Sequence, residues 1–139
     1  MAFAFVFPGQ GSQSVGMMTA YGDSAVVRAT FDEASATLGQ DLWQLVAEGP
    51  ADALSQTVNT QPLMLTAAIA AYRLWLEKGG KFPSVVAGHS LGEYSALVAA
   101  GVIDFKDALP LVRLRAPAMQ KAVPVGAGAM AAILHLDDE

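Results

Sequence analysis

Ser84-Val85-Val86-Ala87-Gly88-His89-Ser90-Leu91-Gly92 sets a short apolar run against a glycine-flanked serine and opens into the apolar segment Leu91 to Ala100. Ser84 to Ala87 reads as a short buried parallel strand. Leu91 to Ala100 reads as a helix with Leu91, Tyr94, Leu97 and Val98 on one apolar stripe, stopped by Gly101. A serine on so sharp a strand-to-helix turn sits in a strained backbone conformation. Glycines on either side, having no Cβ, let the strand and the helix approach closely enough for its hydroxyl to stand exposed. This is the pattern of a nucleophile elbow, and it places Ser90 just ahead of a helix N-terminus whose free amides suit a developing oxyanion. A tight turn whose serine merely caps the helix is the alternative.

Working outward, Ala2 to Phe7 is a second apolar run, a first buried strand closed by Pro8-Gly9 and followed by the glycine-rich loop Gly9 to Gln13. Ala25 to Leu38 has helical character, with Asp23 or Ser24 as cap and Gly39 as stop. Asp41 to Ala47 and Pro50 to Gln56 read as short helices separated by Gly49. Thr60 is the expected cap of the next helix, with Pro62 in its first turn; its nearly all-round apolar surface predicts a central position, and Gly79-Gly80 stop it. Asp104 begins a further helical segment that contains Pro110 and Pro117, each expected to cost about 3 kcal/mol or force a kink in a helix interior. Ala129 to Leu136 alternates like a strand.

The chain of 139 residues has room for one domain at most, and its composition, 53% hydrophobic and 15% charged, suits buried parallel strands or a large contact surface. Arg73 interrupts one apolar stretch and His89 with Glu93 another, so neither reads as a membrane span, and the N-terminus lacks the basic start of a signal sequence. A cytoplasmic location is expected. The absence of cysteine removes thiol catalysis and disulfides, and two histidines, at 89 and 135, give no metal-ligand spacing. A net charge of -5 argues against general nucleic-acid binding. Seven of the eight basic residues follow residue 60, so an anionic partner would meet the second half of the chain.

Neither glycine loop reads as a dinucleotide site. After Gly9-x-Gly11 the third position is Ser14, and Gly126-x-Gly128-x-x-Ala131 precedes a strand pattern where a helix is required. The first loop has another use, because an oxyanion hole is built from the amide after the nucleophile, here Leu91, and an amide from a second loop at the carboxyl edge of the sheet.

With those residues in place the sequence resembles the amino-terminal part of the malonyl-CoA:acyl carrier protein transacylases, the acyltransferases of type II fatty acid synthesis. The resemblance is carried by F-V-F-P-G-Q-G-S-Q from Phe5 to Gln13, T-Q-P from Thr60 to Pro62, G-H-S-L-G-E-Y from Gly88 to Tyr94 and G-A-M-A-A-I from Gly128 to Ile133. It implies an α/β fold with a partial α/β-hydrolase-like acyltransferase core over residues 1–126. Residues 127–139 would begin a ferredoxin-like small subdomain, entered by its first strand. It implies Ser90 as the nucleophile that accepts the malonyl group, the backbone amides of Gln10 and Leu91 as the oxyanion hole, and Arg115 as the partner of the malonyl carboxylate. A planar guanidinium can grip a carboxylate with two parallel hydrogen bonds, which supports that last role, and Arg113 is the competing residue.

Glu93 reads as a structural acid in the first helical turn, His89 should point away from the serine, and Gln61 is a candidate to line the cleft with no role assigned. The implied substrates are malonyl-CoA and acyl carrier protein, with no cofactor beyond the coenzyme A thioester, no metal, no nucleic acid and no membrane. The family's activating histidine lies further downstream than this sequence runs, and His135 does not match it. The chain is therefore expected to be an amino-terminal fragment, inactive alone, that self-associates or retains a carboxyl-terminal fragment. A serine esterase or thioesterase, and a noncatalytic subunit completing a site with another chain, remain as alternatives.

Overall fold

β1 (Ala4–Phe7) and β2 (Val85–Gly88) lie side by side as a parallel pair in the register Ala4↔Val85 to Phe7↔Gly88. Parallel neighbours require a crossover. Here it carries α1 (Ala25–Leu38), α2 (Leu42–Glu48), α3 (Ala51–Leu54) and α4 (Thr57–Glu77), and after β2 come α5 (Leu91–Ala99) and α6 (Phe105–Lys121). The structure, a computed structural model, describes residues 2–21, 23–123 and 126–128. The strand expected over Ala129 to Leu136, with His135, lies outside the described residues.

α4 is the central element. It packs against α1, α5 and α6, and Leu63, Leu65 and Ile69 are sealed in a core shared with Phe31 of α1, Leu91 of α5 and Leu109 of α6. Local signals set most boundaries. Asp41 caps α2 by accepting from the Gln44 amide at 2.8 Å, and Gly39 ends α1 in the left-handed conformation, φ 64°.

Two helices depart from expectation. α4 begins at Thr57 with Gln56 at the cap, so Thr60 is not the cap and Pro62 lies inside the helix. Thr60 instead turns its hydroxyl back onto the carbonyls of Leu54 (2.6 Å) and Gln56 (3.0 Å). Pro62 has no N–H to give the carbonyl four residues back, which is that of Val58, and Arg113 of α6 supplies the missing donor from Nη1 at 3.0 Å. α6 runs unbroken through Pro110 and Pro117. Seven residues apart, the two prolines lie nearly on one face of the helix, while Phe105, Ala108, Leu109, Val112 and Ala116 hold the opposite face in the core.

The sheet is covered on one face. Phe5 and Phe7 point toward α4, where Tyr72 meets Phe5 edge-on at 5.4 Å between ring centroids and Phe7 at 6.2 Å. On the other face Ala4, Val6, Val85 and Ala87 are exposed, Val6 to 72% and Val85 to 60%, so neither strand is buried on both sides as its composition suggests. α5 also differs from its expected stripe: its fully buried residues are Leu91, Gly92, Ser95 and Ala96, and Tyr94, Leu97 and Val98 are half-buried. Small side chains let this helix come close to the strands. A Cβ on Gly92 would collide with the Phe7 carbonyl, and one on Gly88 with the Gly92 carbonyl.

Candidate active site

Ser90 stands between the end of β2 and the first turn of α5 at φ 54° and ψ -111°, the one non-glycine residue with positive φ among the described residues. The turn that holds it is hydrogen-bonded on both sides. His89 N–H donates to the Phe7 carbonyl at 3.2 Å and continues the ladder. Gly92 N–H donates to the His89 carbonyl at 2.8 Å and Glu93 N–H to the Ser90 carbonyl at 3.1 Å. A conformation that costs on the order of 1–3 kcal/mol persists because its surroundings over-determine it. The Ser90 side chain is exposed as a result.

The hydroxyl faces α6. Arg115 Nη2 donates to Ser90 Oγ at 3.0 Å, Nη1 donates to Gln61 Oε1 at 2.8 Å, and the guanidinium carbon lies 5.6 Å from the centre of the Tyr94 ring. Residues two apart on a helix point about 200° away from each other, which separates the two arginine candidates. Arg113 is turned to the Val58 carbonyl and to Gln40 Oε1, a side of the molecule that does not include Ser90. The other two arginines are likewise engaged elsewhere, Arg28 over the Trp43 ring at 4.1 Å and Arg73 with Glu33 at 2.7 Å. Arg115 is the arginine at the serine.

The first loop lies against the elbow. A Cβ added to Gly9 would stand 2.8 Å from the His89 carbonyl oxygen, and Gln10 Nε2 donates to Thr57 Oγ1 at 3.0 Å, which ties the loop to the start of α4. The backbone N–H groups of Gln10 and Leu91 have no partner among the described residues, and Leu91 N–H belongs to the unpaired first turn of α5. His89 is exposed and makes no hydrogen bond to Ser90. Glu93 sits in the first turn of α5, as its position suggests. A groove of about 510 Å³ opens between the start of α4 and the last turns of α6, bordered by Thr57, Val58, Pro117 and Lys121; it adjoins the site without enclosing Ser90. Among the described residues no group of three His, Asp or Glu side chains could hold a metal ion, and no helix is long and apolar enough to cross a membrane.

An exposed serine on a strained strand-to-helix turn, bonded by an arginine, is an arrangement for acyl chemistry, and the acyl transferase domain model matches residues 4–139. The chain belongs to the acyl transferase domain family. This acyl transferase segment is 62% identical over 137 residues to the malonyl CoA-acyl carrier protein transacylase of Escherichia coli K12, an alignment covering 98% of this chain and 44% of that protein. Among solved structures it is similar to the acyl-carrier-protein S-malonyltransferase of Burkholderia pseudomallei, with 72% identity and a TM-score of 0.95 over 99% of this chain and 45% of that one. It also superposes on a malonyl-transacylase solved in complex with its type II PKS acyl-carrier protein, at 59% identity and a TM-score of 0.86, over 89% of this chain and 40% of that one. The acyl transferase segment thus spans less than half the length of these relatives.

Sequence reasoning left Gln61 without a role and did not connect Pro62 with Arg113. Both relations join positions more than fifty residues apart in the chain, and the T-Q-P motif was the only local signal of either.

Proposed function

We propose that this segment is the amino-terminal part of a transacylase that moves malonyl from coenzyme A to the pantetheine thiol of acyl carrier protein through an acyl-serine. Ser90 Oγ attacks the thioester carbonyl, the C–S bond breaks, and the coenzyme A thiol leaves with the proton that a base removed from Ser90. The carrier-protein thiol then attacks the seryl ester, and Ser90 regains a proton as malonyl departs on sulfur. In this reading the N–H groups of Gln10 and Leu91 hold the oxyanion and the Arg115 guanidinium holds the malonyl carboxylate. The base is a histidine that the family carries downstream of this segment.

The hydrogen bond from Arg115 to Ser90 is the observation that carries the proposal, because it sets a cationic fork within reach of whatever acyl group is bonded to the serine. Residues 1–126 are read as part of an α/β-hydrolase-like core and 127–139 as the entry to a ferredoxin-like subdomain, in a cytoplasmic enzyme that needs no cofactor beyond its thioester substrate. The test grafts residues 1–139 in place of the corresponding part of the Escherichia coli relative and exposes the protein to malonyl-CoA. Mass spectrometry is expected to find malonyl on the Ser90 peptide, and none after Ser90→Ala. An adduct that survives the substitution removes Ser90 from the mechanism, and release of free malonate in place of transfer to a thiol makes the enzyme a serine esterase or thioesterase.

A further inference from the structure

Gln61 is sealed from solvent at 0% exposure, and what it does with its amide differs from the other buried polar side chains. Thr30 and Thr66 donate their hydroxyls back to their own helix, to the carbonyls of Val26 and Pro62, both at 2.8 Å, as Thr60 does, although Thr30 also accepts from Arg73 Nη1 of α4 at 3.3 Å. Gln61 reaches across to α6. Its Oε1 accepts from Arg115 Nη1 at 2.8 Å and its Nε2 lies 3.5 Å from Met119 Sδ, one helical turn further on. The amide has one sensible orientation, since the reverse would set an N–H₂ against the guanidinium. Burying an amide is costly unless it is bonded, and half of this one is bonded to the group that faces the nucleophile.

We propose that Gln61 is the positioning residue of Arg115: it fixes the plane of the guanidinium toward Ser90 through a neutral acceptor and so leaves the positive charge available to an anionic acyl terminus. The proposal rests on the reading of Arg115 as the carboxylate-binding group. Neutrality is the essential property. A carboxylate at position 61 would pair with the fork, bind it with two parallel hydrogen bonds and compete with the acyl carboxylate for the same charge. An apolar side chain there would leave the guanidinium free to rotate.

The experiment uses the full-length graft with Gln61→Met, which keeps the volume and removes the acceptor, and Gln61→Glu, which adds the competing charge. Initial rates are measured with malonyl-CoA and with acetyl-CoA. Gln61→Met is expected to raise KM for malonyl-CoA about tenfold with kcat little changed, the signature of lost ground-state binding, and to leave acetyl transfer within about twofold. Gln61→Glu is expected to lower malonyl transfer further while melting no lower than the parent protein. Combined with Arg115→Ala, Gln61→Met should add no further loss.

Equal losses with both donors, additivity in the double variant, or a Gln61→Glu enzyme that keeps the parent preference would overturn the proposal. Should Gln61→Met fail to fold, the Gln61→Glu arm decides alone. Arg115→Ala separates the two levels. If it leaves the malonyl-to-acetyl ratio unchanged, the carboxylate-binding reading falls and takes this one with it; if it collapses the ratio while the Gln61 variants do not, only the part given to Gln61 is lost.

Discussion

Ser90 combines two properties that a single side chain cannot optimise together, a positive φ that favours glycine and a hydroxyl that glycine lacks. Glycine there should relieve the strain, whereas alanine keeps it, and both substitutions lose the hydrogen bond from Arg115 alike. Ser90→Gly is therefore expected to be more stable than Ser90→Ala by about 1 kcal/mol, the lower part of the range for such backbone strain. Paired urea or thermal melts of the two variants measure the difference. A Ser90→Ala protein as stable as Ser90→Gly would mean that the turn stores no strain. Ser90 itself was legible because its pattern is local: two glycines, a preceding apolar run and a following helix lie within a few residues. The choice of Arg115 over Arg113 was legible only by resemblance, since it depends on how α6 is rotated against α4.

The same rotation is fixed at the level of elements by a proline and an arginine. Pro62 releases the Val58 carbonyl and Arg113 takes it, so the register of α6 on α4, and with it the reach of Arg115, depends on a bond between two helices. Arg113→Ala should cost about 1–3 kcal/mol, because it leaves a carbonyl without its charged donor. It should also lower malonyl transfer in the full-length graft although Arg113 does not face the serine. Replacing Pro62 by alanine in the same protein should recover part of the stability, since the residue-62 N–H again serves Val58. A double variant no more stable than Arg113→Ala would break the link.

α4 and β1 meet at Tyr72, whose phenol burial pushes above its ordinary 10.0. The neutral form is favoured in the fold, so this contribution is complete below about pH 10 and declines as the pH rises from there toward the raised folded value. Tyr72→Phe should therefore flatten the alkaline loss of stability, read from melting midpoints between pH 9 and pH 11. None of these links was readable from local pattern. Proline and periodicity describe one segment at a time, and here a break in one helix is made good by a side chain from another.

At the scale of the molecule the sheet departs from what its composition suggests. Ala4, Val6, Val85 and Ala87 form an apolar face open to solvent, and two parallel strands covered on one side are a rare arrangement in α/β proteins. The 139-residue chain on its own is expected to self-associate through that face. Val6→Lys with Val85→Lys should shift it toward monomer in sedimentation velocity at matched concentration. A parent chain that is already monomeric, or a double variant that associates as strongly, would show that the face is not the cause.

The pairing of Ala4 with Val85 also has a consequence in time. Roughly 80 residues must be added after β1 before its partner exists, and at about 5–20 residues per second the ribosome needs roughly 4–16 s to supply them. Throughout that interval Ala4 to Phe7 lacks the partner that β2 supplies. The serine turn, which takes its ladder bond from Phe7, can close only after that wait, so the nucleophile is set in place no sooner than the two strands pair.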